Sequence, residues 1–168
     1  MYQRILVPTD GSGISSVAVD AAIAFARICG SEIVALSVAQ PEPVLLTAEG
    51  ALGSGGEFQV DVLLEQARRH VERVAEAAAR AGVACTPVTA CGHSPAGEIV
   101  EAVGRHRCDL VFMASHGRRG LSRLIAGGVT QHVLACAPVP VMVYRPRLAH
   151  TQGEQDARAE AGPTPRSL

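Results

Sequence analysis

The chain has 168 residues, 48% of them apolar and 18% charged, with a net charge of −1. That length suits one domain with a real core, the composition is that of a globular protein, and the near-neutral balance argues against a basic nucleic-acid-binding face. All 15 basic residues are arginine, which excludes every chemistry built on a lysine: the Walker A loop, the Schiff base, the kinase strand and the phospho-acceptor receiver domain.

No apolar run reaches transmembrane length, and Met1 leads straight into Ile5-Leu6-Val7 without a charged leader or a small-residue cleavage site. The expectation is a cytoplasmic protein with no membrane association. The five cysteines, Cys29, Cys85, Cys91, Cys108 and Cys136, are odd in number and form no C-x-x-C pair. They read as buried thiols in a reducing compartment rather than a disulfide frame or zinc site.

In chain order, Arg4 to Pro8 (RILVP) reads as a short buried strand, followed by the turn-forming Thr9-Asp10-Gly11-Ser12-Gly13. Ser15 or Ser16 can cap a first helix whose apolar positions are Val19, Ile23, Ala26 and Ile28, with Gly30 as its stop. Ile33 to Val38 is a second, nearly continuous apolar strand. Pro41 to Phe58 has no period and is rich in Pro, Gly, Ala and Ser, so it reads as a surface loop.

A long second helix follows, with Val60, Leu63, Leu64, Ala67, Val71, Val74, Ala75 and Ala78 on one stripe and Gly82 beyond its end. Val83 to Ala90 is the third strand. Ser94 as N-cap with Pro95 at the first helical position starts the third helix, through Ile99, Val100 and Val103. Asp109 to Ala114 forms the fourth strand, Gly127 to Cys136 the fourth helix with Val129, Val133 and Leu134 as its apolar face, and Val139 to Tyr144 the last strand. Residues 1–146 make one domain. The polar, aperiodic stretch 147–168 reads as a disordered tail.

Strands alternating with helices imply a parallel sheet covered on both faces. Ligands in such sheets sit beyond the carboxyl ends of the strands, where strand order reverses. Two strand ends are rich in glycine and turn residues, PTDGSG after the first and ASHGRRG after the fourth. If those strands are neighbours, the two loops border one crevice.

The stretch Ser115 to Val133 holds Gly117, Gly120, Gly127 and Gly128 together with Arg118, Arg119 and Arg123. Glycines at the start of a helix expose N–H groups and admit a phosphate closely, and Thr130 can add a hydroxyl from the first turn. The alternative is a loop in which the glycines only shape turns. Asp10, directly after a buried strand, can accept hydrogen bonds from ribose hydroxyls or bond its own backbone as a turn aspartate. His116 has no carboxylate nearby in sequence to orient it, so it reads as a loop-fixing residue rather than a general base. The last strand is apolar and terminal, and its edge can pair with a second chain.

Two motifs together carry a resemblance. The opening Ile5-Leu6-Val7-Pro8-Thr9-Asp10-Gly11-Ser12 and the run MASHGRRGLSRLIAGGVTQHVLACAPVPVMVYR resemble the universal stress protein family from about Gln3 to Arg145. The nucleotide-binding branch of that family carries G-x-x-G, nine residues, then G-S or G-T. Here Ala114-Ser115-His116-Gly117 is followed by nine residues and Gly127-Gly128, so the spacing is kept while Ala114 and Gly128 depart from the pattern.

The resemblance implies a three-layer α/β/α fold of the adenine nucleotide alpha hydrolase-like kind, with a five-stranded parallel sheet in the order 3-2-1-4-5. It implies an adenine nucleotide, ATP or a relative, with Mg²⁺ as a possible companion. Pro8, Thr9 and Asp10 would border adenine and ribose, and Val38 would line the base pocket. Met113, Ala114 and Gly117 would line the ribose side, and Gly127, Gly128, Val129 and Thr130 would hold the phosphates. A homodimer through Val141 to Tyr144, a stress-response role with a protein partner, and no efficient hydrolysis complete the expectation. The rivals are a nucleotide-free dimeric interaction protein and a slow ATP hydrolase or autophosphorylating protein.

Overall fold

The computed structural model describes residues 2–41, 55–115 and 128–145. Five strands form one parallel sheet: β1 (Arg4–Pro8), β2 (Glu32–Ala39), β3 (Cys85–Cys91), β4 (Leu110–Ala114) and β5 (Val141–Tyr144). Their spatial order is β3-β2-β1-β4-β5. The helices between them are α1 (Gly13–Cys29), α2 (Gly55–Arg80), α3 (Pro95–Arg105) and α4 (Gly128–Cys136). The tail 147–168, and with it the expected domain boundary, lies outside the described residues.

Alternation along the strands divides the core in two. Ile5, Val7, Ile33, Ala35, Leu110 and Phe112 pack against α1 and α2. Leu6, Val34, Leu36, Val111 and Met113 pack against α3 and Val133 of α4. Strands buried on both faces must be apolar at nearly every position, which is why RILVP and LVFMA carry no alternating pattern.

Local chemistry moves several boundaries. The N-cap of α1 is Ser12, whose Oγ accepts from the Ser15 N–H at 3.2 Å, and not Ser15 or Ser16. Ser12 lies in the extended region that a cap requires, whereas Ser15 is already inside the helix and buried. Ile28 is 77% exposed and belongs to the outer face, because Ala22 and Ala26 set the buried stripe. The helix closes on Gly30 in the left-handed region.

The expected loop ends earlier than its composition suggests. α2 already begins at Gly55, since the helix gains more from propagating along its apolar stripe than its first residues lose in propensity. β3 starts at Cys85 and β5 at Val141, each two residues later than expected, and β4 at Leu110, one later. In α4 only Val133 is a buried apolar residue. Val129 and Leu134 are 39% and 50% exposed, so the expected three-residue apolar face is reduced to one residue.

The cysteines also depart from expectation. All five are free, but only Cys108 is buried, while Cys91 and Cys136 are exposed. No helix among the described residues is long and apolar enough to cross a membrane.

Candidate functional site at the β1–β4 junction

The strand order makes β1 and β4 neighbours, so the strand ends that precede the two glycine-bearing segments lie side by side at the carboxyl edge of the sheet. Chain direction reverses its progress across the sheet here: β2 and β3 lie to one side, β4 and β5 to the other. This is the switch point where doubly wound sheets open a crevice.

The β1–β4 ladder is short. β1 and β4 are in register only at Ile5↔Leu110 and Leu6↔Val111. Beyond that point β1 stays paired to β2 through Pro8↔Leu36, and β4 stays paired to β5 through Ala114↔Tyr144. Proline supplies the physical reason. In a parallel strand alternate residues turn their N–H groups to opposite neighbours. The Thr9 N–H bonds Leu36 O in β2 at 2.8 Å, while Arg4 O faces β4 and accepts from the Asp109 N–H at 2.9 Å. Pro8 therefore faces β4, and it has no N–H to extend that ladder.

Pro8, Thr9 and Asp10 stand at one lip of the opening. Thr9 is buried, and its Oγ1 lies 3.0 Å from Ser15 Oγ and accepts from the Gly11 N–H at 3.2 Å. Asp10 is half-buried, and its Oδ1 accepts from the Ser12 N–H at 3.0 Å, closing the turn into the cap of α1.

Val38 and Met113 both pack with the α3–α4 cluster, so they share one face of the sheet. Pro8 lies two positions beyond Leu6 in β1 and has the same facing. Ala114 is a strand residue with no positive φ, so its extra methyl strains no backbone.

At the other lip α4 begins at Gly128, whose first-turn N–H groups have no partner within the helix. A β-carbon on Gly128 would meet no described residue within 4 Å. Val129 is exposed, and Thr130 is 3% exposed. The Thr130 proton, expected to be offered to a phosphate, instead reaches the carbonyls of Ala114 and Ser115, each at 3.3 Å. Its hydroxyl ties α4 to the end of β4. Gly117, Gly127, His116, Arg118, Arg119 and Arg123 lie outside the described residues.

One participant escaped the sequence reading. The imidazole of His70, on α2, lies against Gly11, and its Nδ1 is 3.3 Å from Ser37 Oγ in β2. The available signals were a serine inside the otherwise apolar stretch Ile33 to Ala39 of β2 and a histidine spaced with the apolar stripe of α2, three residues after Ala67 and four before Val74.

The family model of the universal stress proteins, "Universal stress protein family", matches residues 1–145. A universal stress protein of Methanocaldococcus jannaschii is 33% identical over 146 residues, covering 86% of this chain and 83% of the relative. The solved structure of a second protein from that organism superposes with a TM-score of 0.72 at 27% identity, covering 89% of this chain and 99% of the other. A universal stress protein family member from Arabidopsis thaliana, solved with AMP bound, has a TM-score of 0.62 at 19% identity, with 88% and 93% covered. The chain belongs to the universal stress protein family.

Proposed function

We propose that this protein binds an adenine nucleotide in the crevice between the carboxyl ends of β1 and β4. The observation that carries the reading is the adjacency of β1 and β4 at the switch point, where their ladder ends after Leu6 and Val111 and the glycine-headed α4 is tied to the end of β4. Pro8 and Val38 offer the base an apolar wall, Thr9 borders it through its backbone, and Asp10 offers a ribose hydroxyl an acceptor. Met113, Ala114 and Gly117 border the sugar from the other lip. The main-chain N–H groups of Gly127, Gly128, Val129 and Thr130 take the phosphates, as amides at a helix start suit an anion. AMP in the Arabidopsis relative supports the ligand class.

ATP is the full-length ligand of this reading, and Mg²⁺ travels with its phosphates. Among the described residues no three His, Cys, Asp or Glu side chains are grouped to hold a metal on their own. The departures from the family motif predict moderate affinity. A serine or threonine in place of Gly128 would give one more bond to a charged phosphate, worth about 1.5–3 kcal/mol. Nucleotide occupancy then serves a regulatory, stress-response role by altering contacts with a protein partner. The free edge of β5, where Met142 is 36% exposed, supports pairing with a second copy through Val141 to Tyr144.

The nucleotide-free reading draws on the Thr130 hydroxyl and the Asp10–Ser12 bond, both of which have structural uses. Isothermal titration of the purified protein with ATP, ADP, AMP and cyclic AMP decides between the two, with Gly117→Val as the control. Saturable heat that the variant loses supports the crevice. No heat with any nucleotide, and none co-purified by its absorbance, leaves the interaction-protein reading standing.

A further inference from the structure

We propose that His70 is a positioning residue that holds the Asp10–Gly11 turn at the geometry a ribose requires, a role that rests on the nucleotide reading above. Gly11 has φ +71°, in the left-handed region, and the face where its β-carbon would stand is filled by the His70 ring. A β-carbon there would lie 2.5 Å from Cδ2 and 2.8 Å from Cε1 of that ring, closer than real contacts allow. The imidazole is itself fixed, because its Nδ1 is within hydrogen-bond distance of the buried Ser37 Oγ. Three elements thus converge on one backbone position: β2 through Ser37, α2 through His70, and the turn after β1 through Gly11.

The two sides of this turn differ. Pro8, Val38 and Met113 face the α3–α4 layer, where the ligand is proposed to lie. Ser37 alternates to the other face, with Ile33 and Ala35, and α2 packs there too. His70 therefore backs the turn from behind while Asp10 meets the ligand from the front. Thr9 and Ser15 fix the turn from α1, through their 3.0 Å contact. Removing the ring opens a gap behind Gly11, and a carboxylate displaced by a fraction of an ångström loses a hydrogen bond whose value depends on alignment.

The test compares ATP with 2′-deoxy-ATP and 3′-deoxy-ATP by isothermal titration. In the wild-type protein the deoxy ligand that lacks the Asp10 contact should bind roughly ten- to a hundredfold more weakly, and Asp10→Ala sets the floor at no discrimination. His70→Ala should move the ratio to within a few-fold of that floor while binding of the deoxy ligand stays unchanged. His70→Phe, which keeps a ring over Gly11, should recover most of the discrimination. Gly11→Ala, which forces the ring away, should lose it.

Equal weakening of ATP and its deoxy analogues in His70→Ala means a merely structural role and overturns the proposal. So does an unchanged ratio in His70→Ala when Asp10→Ala abolishes it, and that result leaves the nucleotide reading intact. Absence of binding by the wild-type protein overturns both.

Discussion

The same two strands, β1 and β4, are treated in opposite ways at their two ends. At the amino end they are clamped. The Asp109 carboxylate accepts the Gln3 and Arg4 N–H groups at 2.7 and 3.0 Å, and the Arg4 guanidinium reaches the His106 carbonyl at 3.0 Å and pairs with Glu32. At the carboxyl end pairing stops at Leu6 and Val111, and Pro8 withholds the N–H that would continue it. A sheet fastened at one rim can open at the other without losing register. The end of the ladder at the carboxyl rim is therefore a local feature of the fold and not a general looseness of the β1–β4 pair.

The clamp should give the largest effect. Asp109→Ala removes two bonds to a charged acceptor on a part-exposed rim, at a cost of about 2 kcal/mol. For a domain of this size that is a drop in Tm of roughly 4–8 °C. Nucleotide affinity should stay within twofold, since the crevice lies at the far end of the same strands. A thermal melt and a titration on one preparation check both halves. A large fall in affinity at constant Tm would mean that the two rims are coupled and that the contrast between them is wrong.

Thr130→Val tests how the opening is held. Valine matches threonine in shape but cannot donate to the Ala114 and Ser115 carbonyls, which predicts a loss of about 1 kcal/mol in urea denaturation. Because that proton already has protein partners, the ratio of ATP to AMP affinity should be preserved. A ratio that collapses in Thr130→Val would show that the hydroxyl turns to the phosphates when ligand arrives.

Gly128→Ser restores the hydroxyl of the family motif where a β-carbon meets no described residue. One added bond to a charged phosphate predicts roughly tenfold tighter ATP binding, with little change for adenosine. Equal binding of ATP by the variant and the wild type would move the phosphates away from the start of α4.

How much of this could be read from residues alone follows the range of the interactions. Both glycine-bearing strand ends were visible, because glycine, proline and aspartate act on backbone angles within a few residues. RILVP and LVFMA were legible as buried strands for the same reason. Adjacency of β1 and β4 was not, since nothing local to either segment says which strand lies beside it; only the resemblance supplied the order. His70 was hidden more deeply. Its role depends on a helix following a loop of uncertain length, and on a single serine turned toward it from β2. Ser12, Ser15 and Ser16 all precede the apolar periodicity of α1, and only backbone angles single out Ser12 as the cap. Ile28 fitted a 3.6-residue period, yet the neighbouring alanines won the buried stripe by letting α1 approach the sheet closely.

The thiols give the smallest effect and return the argument to the clamped rim. Cys108 ends the turn before Asp109 and is buried, and burial pushes its thiol up to about 11, against the opposing pull of Arg4. Burial also raises Cys85. Exposed Cys91 and Cys136 should therefore be alkylated by iodoacetamide at pH 8 well before Cys108. The sign for stability follows from linkage. Well below pH 8 the Cys108 thiol is protonated in both states and exerts no pH dependence. Between about pH 8 and 11 the unfolded chain gives up that proton first, so stability falls as pH rises. Cys108→Ala should flatten part of the decline in urea midpoint between pH 8 and 10.5, by a few tenths of a kcal/mol once partial solvent access is allowed for. Identical slopes in the variant and the wild type would show that the rim is wet enough to ionise the thiol in place, and the clamp would then be looser than its hydrogen bonds imply.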